Sequence, residues 1–244
     1  MKKKIIENIK TIIYALIIAL IIRSFLFQPF YIPSSSMEPN LLVGDRLFVS
    51  KYSYGYSRHS LPFSPKITNR RYFDKKPKRG DVIVFKTPTD NRTDFIKRLI
   101  GLPGDEIQFI NGNLYINNHQ VIKTKIKDFN SKYNCGNVKN NCDAFIEKLP
   151  NGVIYVAIYN QEDKRWNDSD IYKVPEGHYF FLGDNRDNSG DSRYLSGVGY
   201  VNFNNLVGKA QIIFFSNNKK EGYFLQFWKW NKSVRINRFF KKIR

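Results

Sequence analysis

Residues 94–118 read DFIKRLIGLPGDEIQFINGNLYINN, three apolar runs separated by Pro103-Gly104-Asp105 and Asn111-Gly112. Short runs rich in β-branched and aromatic residues, closed by turn dipeptides, specify strands rather than helices. Asn111-Gly112 between Phe109 and Leu114 is a two-residue hairpin signal. The same texture extends outward through DVIVFK (81–86), VIYVAIY (153–159), HYFFLG (178–183) and KAQIIFF (209–215), with turns at Gly80-Asp81 and Gly183-Asp184. Past residue 30 no long helical pattern stands out. The expected fold is therefore mainly β, two packed or coiled sheets in one continuous body.

The first thirty residues differ. Ile12–Ile22 (IIYALIIALII) is an unbroken apolar run, extended by Ile5 and Ile6 before it and Phe25, Leu26 and Phe27 after it. A helix over residues 5–27 measures ~35 Å, enough for ~30 Å of hydrocarbon, with Lys10 and Arg23 placed to snorkel. RSFLFQPF (23–30) offers no small-residue cleavage site, so the segment reads as an uncleaved anchor that Pro29 ends close to the membrane. Lys2, Lys3, Lys4 and Lys10 outweigh Arg23, which keeps the amino terminus cytoplasmic and sends the rest across.

The chain has 244 residues, 40 Lys+Arg against 21 Asp+Glu and a net charge of +19. Most of the excess lies at the two ends, where cations meet anionic headgroups. No nucleic-acid motif accompanies it, so membrane lipids rather than nucleic acid are the expected partner. With 42% hydrophobic residues a real core is affordable. Two cysteines alone supply neither a stapled miniprotein nor a four-ligand zinc site, and the three histidines are scattered, so no metal or cofactor is expected. Cys135 and Cys142 lie in NCGNVKNNC (134–142); in an exported domain a local disulfide is the expected pairing, two free thiols the alternative.

Three segments carry potential chemistry. Ile32-Pro33-Ser34-Ser35-Ser36-Met37-Glu38-Pro39 places serines between apolar segments, where either a turn or a nucleophile fits. In the strand 94–100, alternation sets Phe95, Lys97 and Leu99 on one face. A lysine there is either a snorkelling surface residue or a desolvated general base. Gly183–Arg193 (GDNRDNSGDSR) is dense in Asp and Asn, but Ser196 stands where a calcium loop needs a bidentate glutamate, leaving a rigid hydrogen-bonded turn. The stretch 52–76 reads as a long surface excursion.

Taken together and in order, PSSSMEPNLLVGD (33–45), KRGDVIVFK (78–86) with DFIKRLIGLPGD (94–105), and GDNRDNSGDSR (183–193), behind an anchor, resemble bacterial type I signal peptidases, the leader peptidases with a Ser/Lys dyad. The matched blocks span 30–55, 78–118 and 178–215. The resemblance implies a coiled antiparallel β-sheet catalytic body (30–216) with a smaller β lobe inserted at about 122–177, after the anchor (1–29) and before a basic aromatic tail (217–244). It implies a serine endopeptidase on the outer side of the bacterial cytoplasmic membrane, removing signal peptides from exported preproteins after Ala-x-Ala sites. Carried over by position, Ser36 is the nucleophile and Lys97 the general base. Ser34 and the Ser36 N–H form the oxyanion hole. Ser189 orients Lys97 by a hydrogen bond, and Asp191 with Arg193 braces the wall behind it. Phe30, Ile32, Met37, Leu41 and Ile96 line shallow substrate pockets. Ser35 and Asn40 depart from the usual small residue (often Gly) and Thr, and 122–177 matches too loosely to carry anything over. The tail FLQFWKWNKSVRINRFFKKIR (224–244) reads as a membrane-contacting segment, with a frayed solvated tail as the alternative.

Overall fold

The computed structural model describes residues 2–66, 68, 70–127, 129, 142–160 and 162–244. Helix α1 (Lys2–Ile21) continues through a wider π-type turn to Leu26. Lys3–Leu26 is long and apolar enough to cross a membrane; its most apolar stretch is not buried against the protein, and only near its end does a residue, Ser24, become buried. Among the described residues fourteen strands follow: β1 (Phe27–Tyr31), β2 (Asp45–Ser50), β3 (Val82–Lys86), β4 (Asp94–Gly101), β5 (Glu106–Ile110), β6 (Asn113–Ile116), β7 (His119–Gln120), β8 (Ile122–Lys125), β9 (Cys142–Lys148), β10 (Ile154–Asn160), β11 (Tyr172–Lys173), β12 (His178–Leu182), β13 (Val201–Asn202) and β14 (Leu206–Ser216). Pro29 does not end the helix; it sits inside β1, tolerated because β1 is an edge strand.

The main sheet has seven antiparallel strands in the order β1-β2-β14-β3-β4-β12-β13. Register shifts along β14 and between β4 and β12 bend it into a curled half-barrel. At Gly208 a side chain would strike the Ser50 carbonyl and Val49, so glycine lets β14 close on β2 there. Strand β3 is buried on both faces: Val82 and Val84 join one apolar cluster, Ile83 and Phe85 another. That double burial explains the unbroken apolar run VIVF (82–85). Two smaller sheets complete the body, β11-β5-β6-β7 and β10-β9-β8. In the β5–β6 hairpin Ile107, Phe109, Leu114 and Ile116 face one core, and the turn residues Asn111 and Gly112 take φ of 50° and 70°. A left-handed pair of this kind matches the strand twist. Leu149, Tyr155 and Ala157 share that core with Ile100 and Phe180, so β10 packs on the main body.

Two stretches are more ordered than their composition suggests. Within 52–76, Tyr54, Ser57, His59 and Ser60 are buried, and the Arg71 guanidinium donates to the carbonyls of Gly55 (2.9 Å), Phe203 (2.9 Å) and Leu206 (2.6 Å). The end of the tail is not frayed. Arg238 donates twice to the buried Asp45 carboxylate (3.0 and 2.6 Å), and residues 240–243 bond to the backbone of β14. Tyr223, Leu225, Phe227 and Trp228 remain exposed. Cys142 is disulfide-bonded; Cys135 lies outside the described residues.

Candidate active site

The loop after β1 carries the three serines across the mouth of the half-barrel. Its apolar residues hold it down: Ile32, Met37 and Leu41 are buried in the cluster that also holds Leu47, Val49, Val82 and Val84, with Phe30 and Ile96 packed at its rim. All five expected pocket residues thus lie in one place, two at the surface of the cleft and three beneath it.

Across the mouth, β4 brings in Lys97, which is 2% exposed. Its Nζ lies 2.6 Å from Ser36 Oγ, and the Phe95 ring centroid is 5.4 Å from the same nitrogen. Burial in this apolar setting pulls the Lys97 pKa down from 10.5 to about 8, against the opposing charges of Asp191 and Asp184. Ser34 Oγ is 3.3 Å from Ser36 Oγ. The Ser36 N–H makes no hydrogen bond among the described residues, so one backbone donor beside the hydroxyl stays available.

Behind the lysine, the buried Asp191 accepts two hydrogen bonds from the Arg193 guanidinium (2.8 and 2.9 Å), one from the Arg193 backbone N–H (3.3 Å) and one from the Gly183 N–H (3.0 Å). Burial acts to raise the Asp191 pKa, but the Arg193 charge and hydrogen bonds hold it below its ordinary value. Asp191 and Arg193 are thus an ion pair buried in the structure. The expected bond from Ser189 to Lys97 is not formed: the Ser189 hydroxyl is buried without a hydrogen-bond partner. It is packed instead against Gly183, where a Cβ would strike both the Ser189 side chain and the Ser36 carbonyl.

Several positioning contacts escaped sequence reasoning. Asn185 holds the serine loop through its N–H to the Ser36 carbonyl (3.1 Å) and its amide to the Ser35 carbonyl (3.1 Å). Asn188 donates to Ser35 Oγ (2.7 Å). Asn40 donates to Asp184 (2.7 Å), which Arg98 also grips with two bonds (2.8 and 2.7 Å). Under this turn, Arg186 forms a doubly hydrogen-bonded pair with Glu147 (2.8 and 2.7 Å), both buried, and Tyr155 donates to the same carboxylate (2.7 Å). Burial acts most strongly, to raise the Glu147 pKa, but the Arg186 charge together with hydrogen bonds from Arg186, Tyr159 and Tyr155 holds it below its ordinary value. The density of Asp and Asn in 183–193 was the available signal for the asparagines; Glu147 gave none. Among the described residues no group of three or more His, Cys, Asp or Glu is placed to hold a metal.

Comparison with known proteins agrees in family. The family model described as signal peptidase, peptidase S26 matches residues 5–215. A Signal peptidase I of Rickettsia akari (strain Hartford) is 40% identical over 249 residues, covering 94% of this chain and 90% of its own length. A second, of Rickettsia massiliae (strain Mtu5), is 41% identical over 250 residues, covering 95% and 90%. A crystal structure of a signal peptidase I from Enterococcus faecalis V583 shares 30% identity, covers 55% of this chain and 97% of its own, and has a TM-score of 0.32.

Proposed function

Given that the chain belongs to the signal peptidase family, peptidase S26, and is a serine endopeptidase, we propose that it removes signal peptides from exported preproteins with Ser36 as nucleophile and Lys97 as general base. The observation that carries this reading is the 2.6 Å approach of Lys97 Nζ to Ser36 Oγ in a site with the lysine pKa lowered to about 8. Neutral Lys97 takes the Ser36 hydroxyl proton as Oγ attacks the scissile carbonyl. The tetrahedral oxyanion accepts from the Ser36 N–H and the Ser34 hydroxyl; single donors of this kind are typically worth ~3–4 kcal/mol. The lysine ammonium returns the proton to the leaving amine. Water, deprotonated by the same lysine, then cleaves the ester. Asp191 and Arg193 fix the wall behind Lys97, and Ser189 stands close enough to the serine loop to support it.

The substrate lies extended between β1 and β4. Strand β1 is a sheet edge, and β12 pairs only with residues 98–101 of β4, leaving the edge of 94–97 open. A peptide adding to these edges satisfies their unpaired backbone groups. Phe30, Ile32, Met37, Leu41 and Ile96 bound the pockets on either side of the bond. Their burial leaves little depth, which favours the small side chains of an Ala-x-Ala site. The helical segment that ends at Leu26 anchors the catalytic body, which starts at β1 and runs to residue 216 with a lobe at about 122–177, in the bacterial cytoplasmic membrane. The amino terminus is cytoplasmic, and lipids contact the exposed aromatics of the tail (217–244). A cysteine placed at residue 3 that reacts with an impermeant thiol reagent in intact cells would overturn that orientation.

The test is to quench a reaction with a preprotein in acid and map the adduct by mass. The reading predicts the signal peptide as an ester on the fragment holding Ser36. An adduct elsewhere, or turnover persisting in Ser36→Ala, contradicts it.

A further inference from the structure

A cavity of about 850 Å³ adjoins the cleft: Phe30 of the proposed pockets lines it, and Ser36 and Lys97 do not. Gln28 and Phe30 of β1 and Asp94 of β4 line it, so both open strand edges run into it. Arg23, in the last turns of the apolar helix, lines it as well, which sets its mouth on the membrane side. Its charge is lopsided. Five Lys and Arg line it against two Asp; Lys86 is paired with Asp94 at 2.9 Å, and Asp90, which stays anionic, is held by Thr87, Thr93 and two backbone N–H groups rather than by a cation. Arg23, Arg58, Lys66 and Arg92 have no acidic partner among the described residues.

We propose that this cavity is a substrate subsite that selects, by charge, the residues of the preprotein upstream of the pocket-bound positions. The inference rests on the proposed Ser36/Lys97 reading and deepens it. Asp94 is three residues along β4 from Lys97, a distance of ~10 Å in a strand. A peptide paired with that edge thus reaches Asp94 roughly four residues before the cleaved bond, and the next residues, roughly five to seven before it, enter the cavity. Upstream is the direction that leads there. In a signal peptide the apolar segment precedes the cleavage site, so the chain must return toward the membrane, where Arg23 stands. The unpaired cations favour an acidic or neutral side chain at these positions and oppose a basic one.

The test uses the full chain in zwitterionic detergent, where no anionic lipid competes. Three versions of one preprotein carry Glu, Gln or Lys six residues before the bond. The proposal predicts that kcat/KM for the Glu substrate exceeds that for the Lys substrate by about fivefold at low salt, and that the ratio shrinks as salt is raised. In the double variant Arg58→Glu, Arg92→Glu the ratio inverts. Because each ratio is internal to one enzyme, a general loss of activity in the variant does not disturb it. Equal cleavage of all three substrates by the wild-type chain overturns the subsite and leaves the dyad standing. A Glu preference unchanged in the double variant also overturns it, because selection then lies elsewhere. Failure to cleave any of the three overturns the underlying reading instead.

Discussion

The pH dependence of turnover follows from one buried amine. Burial sets the Lys97 pKa at about 8, against 10.5 for a free lysine, and only the neutral form can take the Ser36 proton. The active fraction at pH 7 is then about one-tenth, rising to half at pH 8 and levelling above pH 9. Thus kcat/KM rises about tenfold per pH unit on the acid side and is flat on the alkaline side. An unshifted lysine would keep the rate climbing by a further ~160-fold between pH 8 and 10.5. The assay is initial-rate cleavage of a preprotein from pH 6 to 10 at constant ionic strength. Two other amines titrate in the same range, the buried Lys51 at about 7 and the half-buried Lys123 at about 8. Lys51→Met and Lys123→Met must therefore keep the same acid limb. A rate that is flat from pH 7 to 9, or still rising tenfold per unit at pH 10, refutes the assignment of Lys97 as base.

The same burial predicts that Lys97→Met is inactive yet more stable. With the folded pKa below the unfolded one, wild-type stability increases as pH rises from 8 to 10.5. At pH 7 the charged amine costs about 3 kcal/mol. A melting temperature several degrees higher for the Met variant at pH 7, with the gap closing above pH 10, is the expected result. A Met variant that melts lower at pH 7 contradicts it. Glu147→Gln strands the Arg186 charge in the core and should cost about 3–5 kcal/mol; the pair replaced together, Glu147→Gln with Arg186→Met, should recover part of that in thermal melts. Gly183→Ala drives a methyl into Ser189 and the Ser36 carbonyl and should lower kcat about a hundredfold with the fold retained by circular dichroism. Replacing Ala by Leu just before the cleaved bond should abolish turnover, and unchanged turnover would refute the shallow pocket.

The strands of the main body were legible because their sequence pattern matches their burial. VIVF (82–85) is apolar throughout where both faces are covered, and EIQFI alternates where one face is. The serine loop, Lys97 and the Asp191–Arg193 pair were legible through motif resemblance, and their proximity is geometric. What stayed hidden are residues whose polarity opposes their location. In CDAFIEK, Ile146 is 41% exposed and Glu147 only 1%, the reverse of what hydropathy suggests. The reason lies in Arg186, a partner 39 residues away that makes the buried charge tolerable. The tail is held down in the same way, because Asp45, the partner of Arg238, lies 193 residues earlier. Local composition reports neither. Ser189 went the other way, since motif position predicted a bond to Lys97 that the packing against Gly183 does not provide.

The most direct test incubates detergent-solubilised protein with a secretory preprotein beside Ser36→Ala and Lys97→Met, each shown to be folded. Cleavage after the Ala-x-Ala site by the wild type alone is the predicted result. Cleavage at that site by either variant at the wild-type rate would contradict the Ser36/Lys97 dyad.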